Sequence, residues 1–494
     1  MPETYAAGVP PPSPTPIALD GEAAVLTGRF APEEHKTYRV LPVVVPVGTA
    51  RLEVGYRWWP EHDTVLDLGL WDNAGYRAAD GFRGWSGSRA ARAHQGEPPI
   101  WVEADAADRC YRAGPIGPGV WWVELGAGDV SAEGSSFEVT VTARSVATAG
   151  RAPSADPVDP GHVARPEPGW YHADLHQHGR HSHPRAPEWD ELVARSRAVG
   201  LDVLPVVDYV VPWLWAELGP VQRANPDLLV FPGREVITYF GHAVVLGETP
   251  GLVEYRHGFE DVDLGKVQRA ATDAGALFQV AHPTTYPEAV FGDHCRGCEF
   301  TLDASIDWDR VTSIEVLTGP VVLGEPPDFP NPFAATALDR WRALLATGHR
   351  LTAVSGSDDK LGDEFGSSAT ALWCRELSRA GVIEALRAGH AYVRTHGALA
   401  SPAIEVRAGE AMMGDTVHGA AELEVTVVNG QGQELLLLAD GEVRHTVAIP
   451  TEDFTWRAEI APEPASGPLG TAWEVQTHDA HTPTTIANPL FLKP

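Results

Sequence analysis

The chain has 494 residues, 44% hydrophobic and 21% charged, which is ordinary for a globular protein and enough for two to four domains with a deeply buried site. Its 37 Lys and Arg against 67 Asp and Glu give a formal charge of −30, which repels a polyanion and argues against nucleic acid as a partner. No apolar run reaches the ~20 residues needed to span a bilayer, and MPETYAAGVPPPSPTP has neither a basic nor an apolar signal region. A cytoplasmic protein acting on a small molecule, with no membrane partner, is expected.

Residues 1–145 read as a β-sandwich domain. Short runs such as Arg51–Val54, Val65–Leu70, Val120–Leu125 and Phe137–Val141 are punctuated by Gly and Pro, and no helical period is sustained. Residues 146–168 read as a linker, because RAPSADPVDPGHVARPEP has little to bury. From 169 to 398 apolar strand runs alternate with helical stretches, which predicts βα units and a largely parallel sheet or barrel. The strands are expected at Val203–Val207, Leu228–Phe231, Leu277–Ala281, Ile314–Leu317 and Leu351–Ser355, with helices after Trp189 and near 264–274, 333–347 and 378–388. Residues 399–494 return to β-sandwich character, with runs Leu423–Val428 and Glu434–Ala439 and a hairpin-like Asp440-Gly441.

The chemistry concentrates in the α/β segment. His172, Asp174, His176 and His178 lie in YHADLHQH, where alternate residues of an extended strand point the same way. Imidazole and carboxylate at period two form a plausible metal half-site, although an exposed sheet edge yields the same pattern. Recurrence separates the two. Asp208 and Tyr209 follow LPVV, Glu235 follows LLVFPGR, His242 comes seven residues later, His282 follows LFQVA, Glu315 sits in SIEVL and Asp358 follows LTAVSGS. Nearly every βα unit thus delivers a polar candidate at the C-terminal end of its apolar strand, where α/β sheets and barrels assemble their sites.

The series HADLHQHGRHS, VVDY, PGREVITYFGHAVVLG, AHP, EVLTG and GSD resembles the polymerase-and-histidinol-phosphatase (PHP) metallohydrolases, and within them the CehA/McbA branch. The resemblance covers 169–398, and DLGLWD, FRGWSG and the final IANPLFL also look like this branch. It implies an α/β fold, a distorted (βα)7 PHP-type barrel flanked by N-terminal and C-terminal β-sandwich domains. It also implies one metal held by His176, His178, Glu235 and Asp358, and a second that shares Glu235 and adds His242 and His282. Two divalent transition metals, Zn, Mn or Fe, are the expected cofactors.

The chain departs from the family twice. Tyr209 in VDY stands where the family has a histidine, and Lys360 in SDDK replaces another. Both lost ligands belong, by the resemblance, to a third metal, for which His183 is the remaining candidate ligand. Lys360, Tyr209 and Asp208 are thus the catalytic candidates; plain packing of Tyr209 and solvation of Lys360 are the alternatives. Arg180, Trp213 and Arg83 are candidates for substrate binding, and Trp215 for the wall of an aromatic pocket. Cys295 and Cys298 in HCRGC form either half a zinc site, a redox pair or a loop pair. The expected reaction is hydrolysis of a phosphoester, or of a carbamate or carboxylic ester, by a metal-activated water. A non-hydrolytic metalloenzyme built on the altered Tyr209/Lys360 site and a binding protein with a relict barrel are the alternatives.

Overall fold

The computed structural model describes residues 15–19, 22–87, 98–148, 156–247, 254–292, 295–323, 329–464 and 466–494. Most of the N-terminal stretch read for a signal, and the start of the 151–168 stretch, lie outside these. The chain forms two compact units, Met1–Pro153 with Arg256–Asp263, and Ser154–Tyr255 with Leu264–Pro494. No helix among the described residues is long and apolar enough to cross a membrane.

The first unit carries, among the described residues, a five-stranded and a four-stranded sheet. Period-two patterning explains the core: along Ser135–Arg144 every second residue is buried, including Phe137, Val139 and Val141. These pack with Phe30, Trp58, Leu68 and Trp121. The segment Arg256–Asp263 completes this unit. Arg256 is buried, its Nη1 donates to Glu124 Oε2 at 3.1 Å, and its guanidinium lies 4.5 Å from the centre of the Trp71 ring. Trp71 Nε1 donates to the same carboxylate oxygen at 2.9 Å.

The second unit is mixed α/β and sheet-rich, with few helices. Gly169–Ala173, Val203–Val206 and Leu229–Thr238 run parallel, as do Leu277–Val280, Ser313–Thr318 and Thr352–Gly356. Between the two sets, Gly241–Leu246 is antiparallel to both neighbours, Leu229–Thr238 and Leu277–Val280. The expected βα alternation is therefore interrupted at a hairpin, where Gly241 supplies the positive φ of 153° that closes the turn. Both ends of this strand series also meet: Leu175 N donates to Ser355 O, Asp358 N to His176 O and His178 N to Asp359 O. On its other edge Gly169–Ala173 pairs antiparallel with Ala369–Cys374, and the sheet continues through Ala391–Arg394 into Thr482–Ala487. The C-terminal strands thus extend the same sheet, and their core of Leu423, Val425, Leu437 and Val475 includes Tyr392 and Ala371.

The helices form near their expected positions, at Trp189–Ala198, Leu264–Asp273, Pro332–Ala346 and Arg379–Ala388. In Pro332–Ala346 the buried residues Ala334, Ala337, Leu338, Trp341 and Leu345 recur at helical spacing, and Asn331 caps the start by accepting from Phe333 N. Trp341 is fully buried and its Nε1 donates to Leu351 O at 3.0 Å. Trp341→Ala is expected to destabilise the second unit by about 3–5 kcal/mol in denaturant unfolding. A change under about 1 kcal/mol would contradict this packing.

Candidate metal centre

The site gathers His176, His178, His282 and Asp358 from beyond their strands, Glu235 from within Leu229–Thr238 and His242 from the start of Gly241–Leu246. Beyond Ala173 the chain bends at Leu175 and His176, and His176 and His178 both bring their Nε2 atoms to Glu235 and Asp358. Gly356 permits the close approach of the last strand: a Cβ there would lie 2.3 Å from His176 Cβ. Asp358 follows at φ 53°, and His282, just past its strand, sits at φ 27°. Both are held in a left-handed conformation that L residues seldom adopt, a cost that structures bear chiefly at functional sites.

Two groups of side chains that could hold metal result. In the first, His176 Nε2 lies 3.4 Å from Glu235 Oε2 and 3.2 Å from Asp358 Oδ1, and His178 Nε2 lies 3.3 and 2.9 Å from the same two oxygens. In the second, His242 Nδ1 lies 2.9 Å from Glu235 Oε1 and 3.2 Å from His282 Nε2, which is 3.4 Å from Glu235 Oε1. Glu235 serves both, one oxygen to each.

The outer ring nitrogens decide what these inner atoms are. His176 Nδ1 meets Glu315 Oε1 at 2.8 Å, His242 Nε2 meets Arg296 O at 3.2 Å and His282 Nδ1 meets Cys298 O at 2.9 Å. A carboxylate or carbonyl only accepts, so each outer nitrogen carries the proton and, in a neutral ring, the inner nitrogen keeps a lone pair. His178 Nδ1 meets Ser182 Oγ at 2.7 Å, and Ser182 in turn donates to Asp208 Oδ1 at 2.5 Å, so the same holds there. Lone pairs of four imidazoles and two carboxylates therefore converge, in a place where His176 Nε2 and Glu235 Oε2 are buried without a hydrogen-bond partner. Acceptors crowded this way repel one another unless a cation lies among them. The spacing also fits: donors about 2.0–2.1 Å from a tetrahedral ion are about 3.4 Å apart.

Charge in the metal-free protein leads to the same conclusion. Burial disfavours the charged form of every group here, yet Glu235 is held well below the usual carboxylate range by His176, and Asp358 by Lys360 and His176. Burial is likewise overcome at His176, whose pKa is raised by Glu315, Asp358 and Glu235. His242 goes the other way, lowered by burial. Protons thus partly balance carboxylates that a metal would balance in their place.

The other candidates fall differently. Asp208 is outside both groups; its carboxylate accepts from Gly179 N, His181 N and Ser182 Oγ and fixes the turn that carries His178. Tyr209 is half-buried, with its ring 4.7 Å from that of His178, and burial pushes its phenol up, so it stays neutral. Lys360 Nζ donates to Asp358 Oδ1 at 2.5 Å and lies 5.5 Å from the centre of the Tyr209 ring. It is a neighbour of the first group, not a solvated surface lysine. His183 belongs to neither group; its Nδ1 accepts from Arg185 N within its own turn. Arg180 pairs with Glu188 at 3.6 Å. Trp213 and Trp215 are buried among their neighbours, Trp213 against His181 and Trp215 under Arg379, rather than lining an open pocket. Arg83 is buried within the first unit, its donors taken by Asp72 and the carbonyls of Arg112, Gly114 and Pro115. Cys295 and Cys298 are joined as a disulfide.

Glu315 stood in the sequence as one more strand-end acid with no role of its own. It accepts from His176 Nδ1, Gln279 Nε2, His282 N and Thr318 Oγ1, and so orients one histidine of each group. A fully buried acid in an apolar strand was its only signal. Glu315→Ala is expected to weaken metal affinity about 10–100-fold, read by competition with a chelator. An unchanged affinity would remove Glu315 from the site.

No family model and no curated protein matches the chain. Among solved structures it is similar to a two-domain protein from Bacteroides vulgatus ATCC 8482 described as containing a PHP-like metal-dependent phosphoesterase, at 16% identity and TM-score 0.34, over 69% of this chain and 100% of that one. It is similar to the lesion-specific endonuclease PfuEndoQ from Pyrococcus furiosus, at 13% identity and TM-score 0.31, over 46% of this chain and 58% of that one. A third, PsfC from Pseudomonas syringae PB-5123, matches at 18% identity and TM-score 0.27, over 44% of this chain and 87% of that one. At these scores the likenesses decide nothing about the chemistry, which follows from the two groups of donors bridged by Glu235.

Proposed function

We propose that the protein is a metal-dependent hydrolase with a two-metal site, acting on a small phosphoester or on a carbamate or carboxylic ester. The observation that carries this reading is the double use of Glu235, one oxygen in each of two donor groups whose histidines all keep their outer nitrogens engaged. His176, His178, Glu235 and Asp358 would hold one ion, and His242, His282 and Glu235 the other. Two divalent ions so held supply Lewis acidity and an activated water as nucleophile. Glu315, Ser182 and Asp208 keep the rings oriented, and Lys360 adds a fixed positive charge beside Asp358 where a departing anionic group gains from it. The cation at Lys360 is what favours a phosphoester within this class.

The hydrogen bonds that join Leu175, His176 and His178 to Ser355, Asp358 and Asp359 support a ring of seven strands of the PHP type, and the motif order from 172 to 358 supports membership of that superfamily and of its CehA/McbA branch. Elemental analysis after extensive dialysis, followed by assays on p-nitrophenyl phosphates, phosphodiesters and carbamates, tests the reading. About two transition ions per chain and turnover of one ester class are expected, because Tyr209 and Lys360 withhold ligands from a third ion. Three tightly held ions, or none, would overturn it.

A further inference from the structure

The Cys295–Cys298 segment makes contacts that the hydrolytic reading leaves unused. The outer nitrogens of both histidines in the second group end on this segment's backbone: His242 Nε2 on Arg296 O at 3.2 Å, and His282 Nδ1 on Cys298 O at 2.9 Å. Between them Gly297, at φ 87°, is pressed so close that a Cβ would lie 2.1 Å from Thr238 O and 3.0 Å from His242 Nε2. Downstream the chain is fixed by Phe300 N donating to Pro283 O and Thr301 N donating to Phe240 O. Arg296, by contrast, lies inside the ring closed by the disulfide, which a hydrogen bond from Cys298 N to Cys295 O at 3.5 Å also spans. The first group is independent of this segment; its outer nitrogens end on Glu315 and Ser182.

Resting on the two-metal reading, we propose that the Cys295–Cys298 disulfide is a clasp that positions the second group's histidines, so that opening it releases one of the two metals and leaves the other bound. Cys298 is buried, but Cys295 is partly exposed, which gives a reductant access to one sulfur. Reduction by a phosphine and water breaks the S–S bond, puts one proton on each sulfur and leaves the phosphine oxide. The carbonyl that accepts from His242 is then free to turn away, and loss of such an outer partner lowers metal affinity about 10–100-fold. His242 loses its orienting partner while the first group keeps Glu315 and Ser182, so the effect falls on one ion alone.

The test uses the full metal-loaded chain with and without tris(2-carboxyethyl)phosphine, which reduces disulfides without a thiol that competes for metal. Thiols are counted by mass spectrometry after alkylation: the two free cysteines Cys110 and Cys374 are the oxidised baseline. In a metal-buffered solution, metal per chain is expected to fall from two to one on reduction and to return on reoxidation. Cys295→Ser with Cys298→Ser is expected to match the reduced protein, with an unchanged circular dichroism spectrum. In His242→Ala, which already lacks the second ion, reduction is expected to change nothing. That insensitivity separates a clasp on this group from a general loosening of the fold. Two ions held equally tightly in reduced and oxidised protein would overturn the clasp and leave the hydrolase reading standing. Loss of both ions together on reduction would overturn its selectivity, and an oxidised protein that binds no metal would overturn the clasp and the hydrolase reading alike.

Discussion

Glu235→Ala is expected to empty both halves of the site and to remove hydrolysis, whereas His242→Ala is expected to cost one ion and spare the other. The asymmetry follows from the two carboxylate oxygens: Oε2 stands among His176, His178 and Asp358, and Oε1 between His242 and His282. Deleting Glu235 also leaves four inward nitrogens with a single carboxylate, Asp358, to balance whatever charge binds there. Rate losses beyond the about 10²–10³-fold caused by removing one electrostatic partner are expected for Glu235→Ala, with metal content near zero. Elemental analysis of the two variants side by side decides it. Retention of either ion in Glu235→Ala would mean that the bridge is not essential, and loss of both in His242→Ala would mean that the halves are not separable.

Lys360→Ala is expected to lower turnover by about one to three orders of magnitude while metal content stays at two. Its ammonium rests on Asp358 Oδ1, the oxygen that also faces His176 and His178, so the charge sits at the rim of the first group. Attraction to the carboxylates of Asp358 and Glu235 outweighs burial and keeps the amine protonated. A protonated amine cannot ligate, so the residue is expected to act on kcat rather than on metal retention. The double change Tyr209→His with Lys360→His places imidazoles at both altered positions and is expected to recruit a third ion and recover part of the rate. An unchanged rate for Lys360→Ala would leave the altered motif without catalytic meaning. A parallel loss of metal would make this lysine a support for Asp358 instead.

Much of this was legible in the sequence because the site is built from strand ends. An apolar run marks the strand, and the polar residue after it marks the edge; His176, Glu235, His282 and Asp358 were found this way, and the structure brings them together with His178 and His242. Four features left weaker traces. The antiparallel strand Gly241–Leu246 reads like any buried strand, since burial on both faces erases the pattern that separates parallel from antiparallel pairing. Trp213 and Trp215 follow Tyr209 in sequence, but a short helix at Leu214–Glu217 turns them into the core. The groups that orient His242 and His282 are backbone carbonyls, which every residue owns, so no side chain announced them. His183 was matched to its family position by alignment of motifs alone, and the turn it caps was not visible in spacing.

The placement of Arg256 has a consequence for how the chain is made. Glu124 is buried in the first unit with no exposure, and the Arg256 guanidinium that pairs with it is synthesised well after the strand Ser135–Arg144 has left the ribosome. N-terminal domains commonly fold as soon as they emerge. Here a nascent chain that stops before Arg256 would have to bury the Glu124 carboxylate without the guanidinium it pairs with, and losing one member of a buried pair costs about 3–5 kcal/mol. The first unit is therefore expected to stay open to proteases in ribosome-bound chains truncated near residue 200 and to close only once Arg256–Asp263 is available.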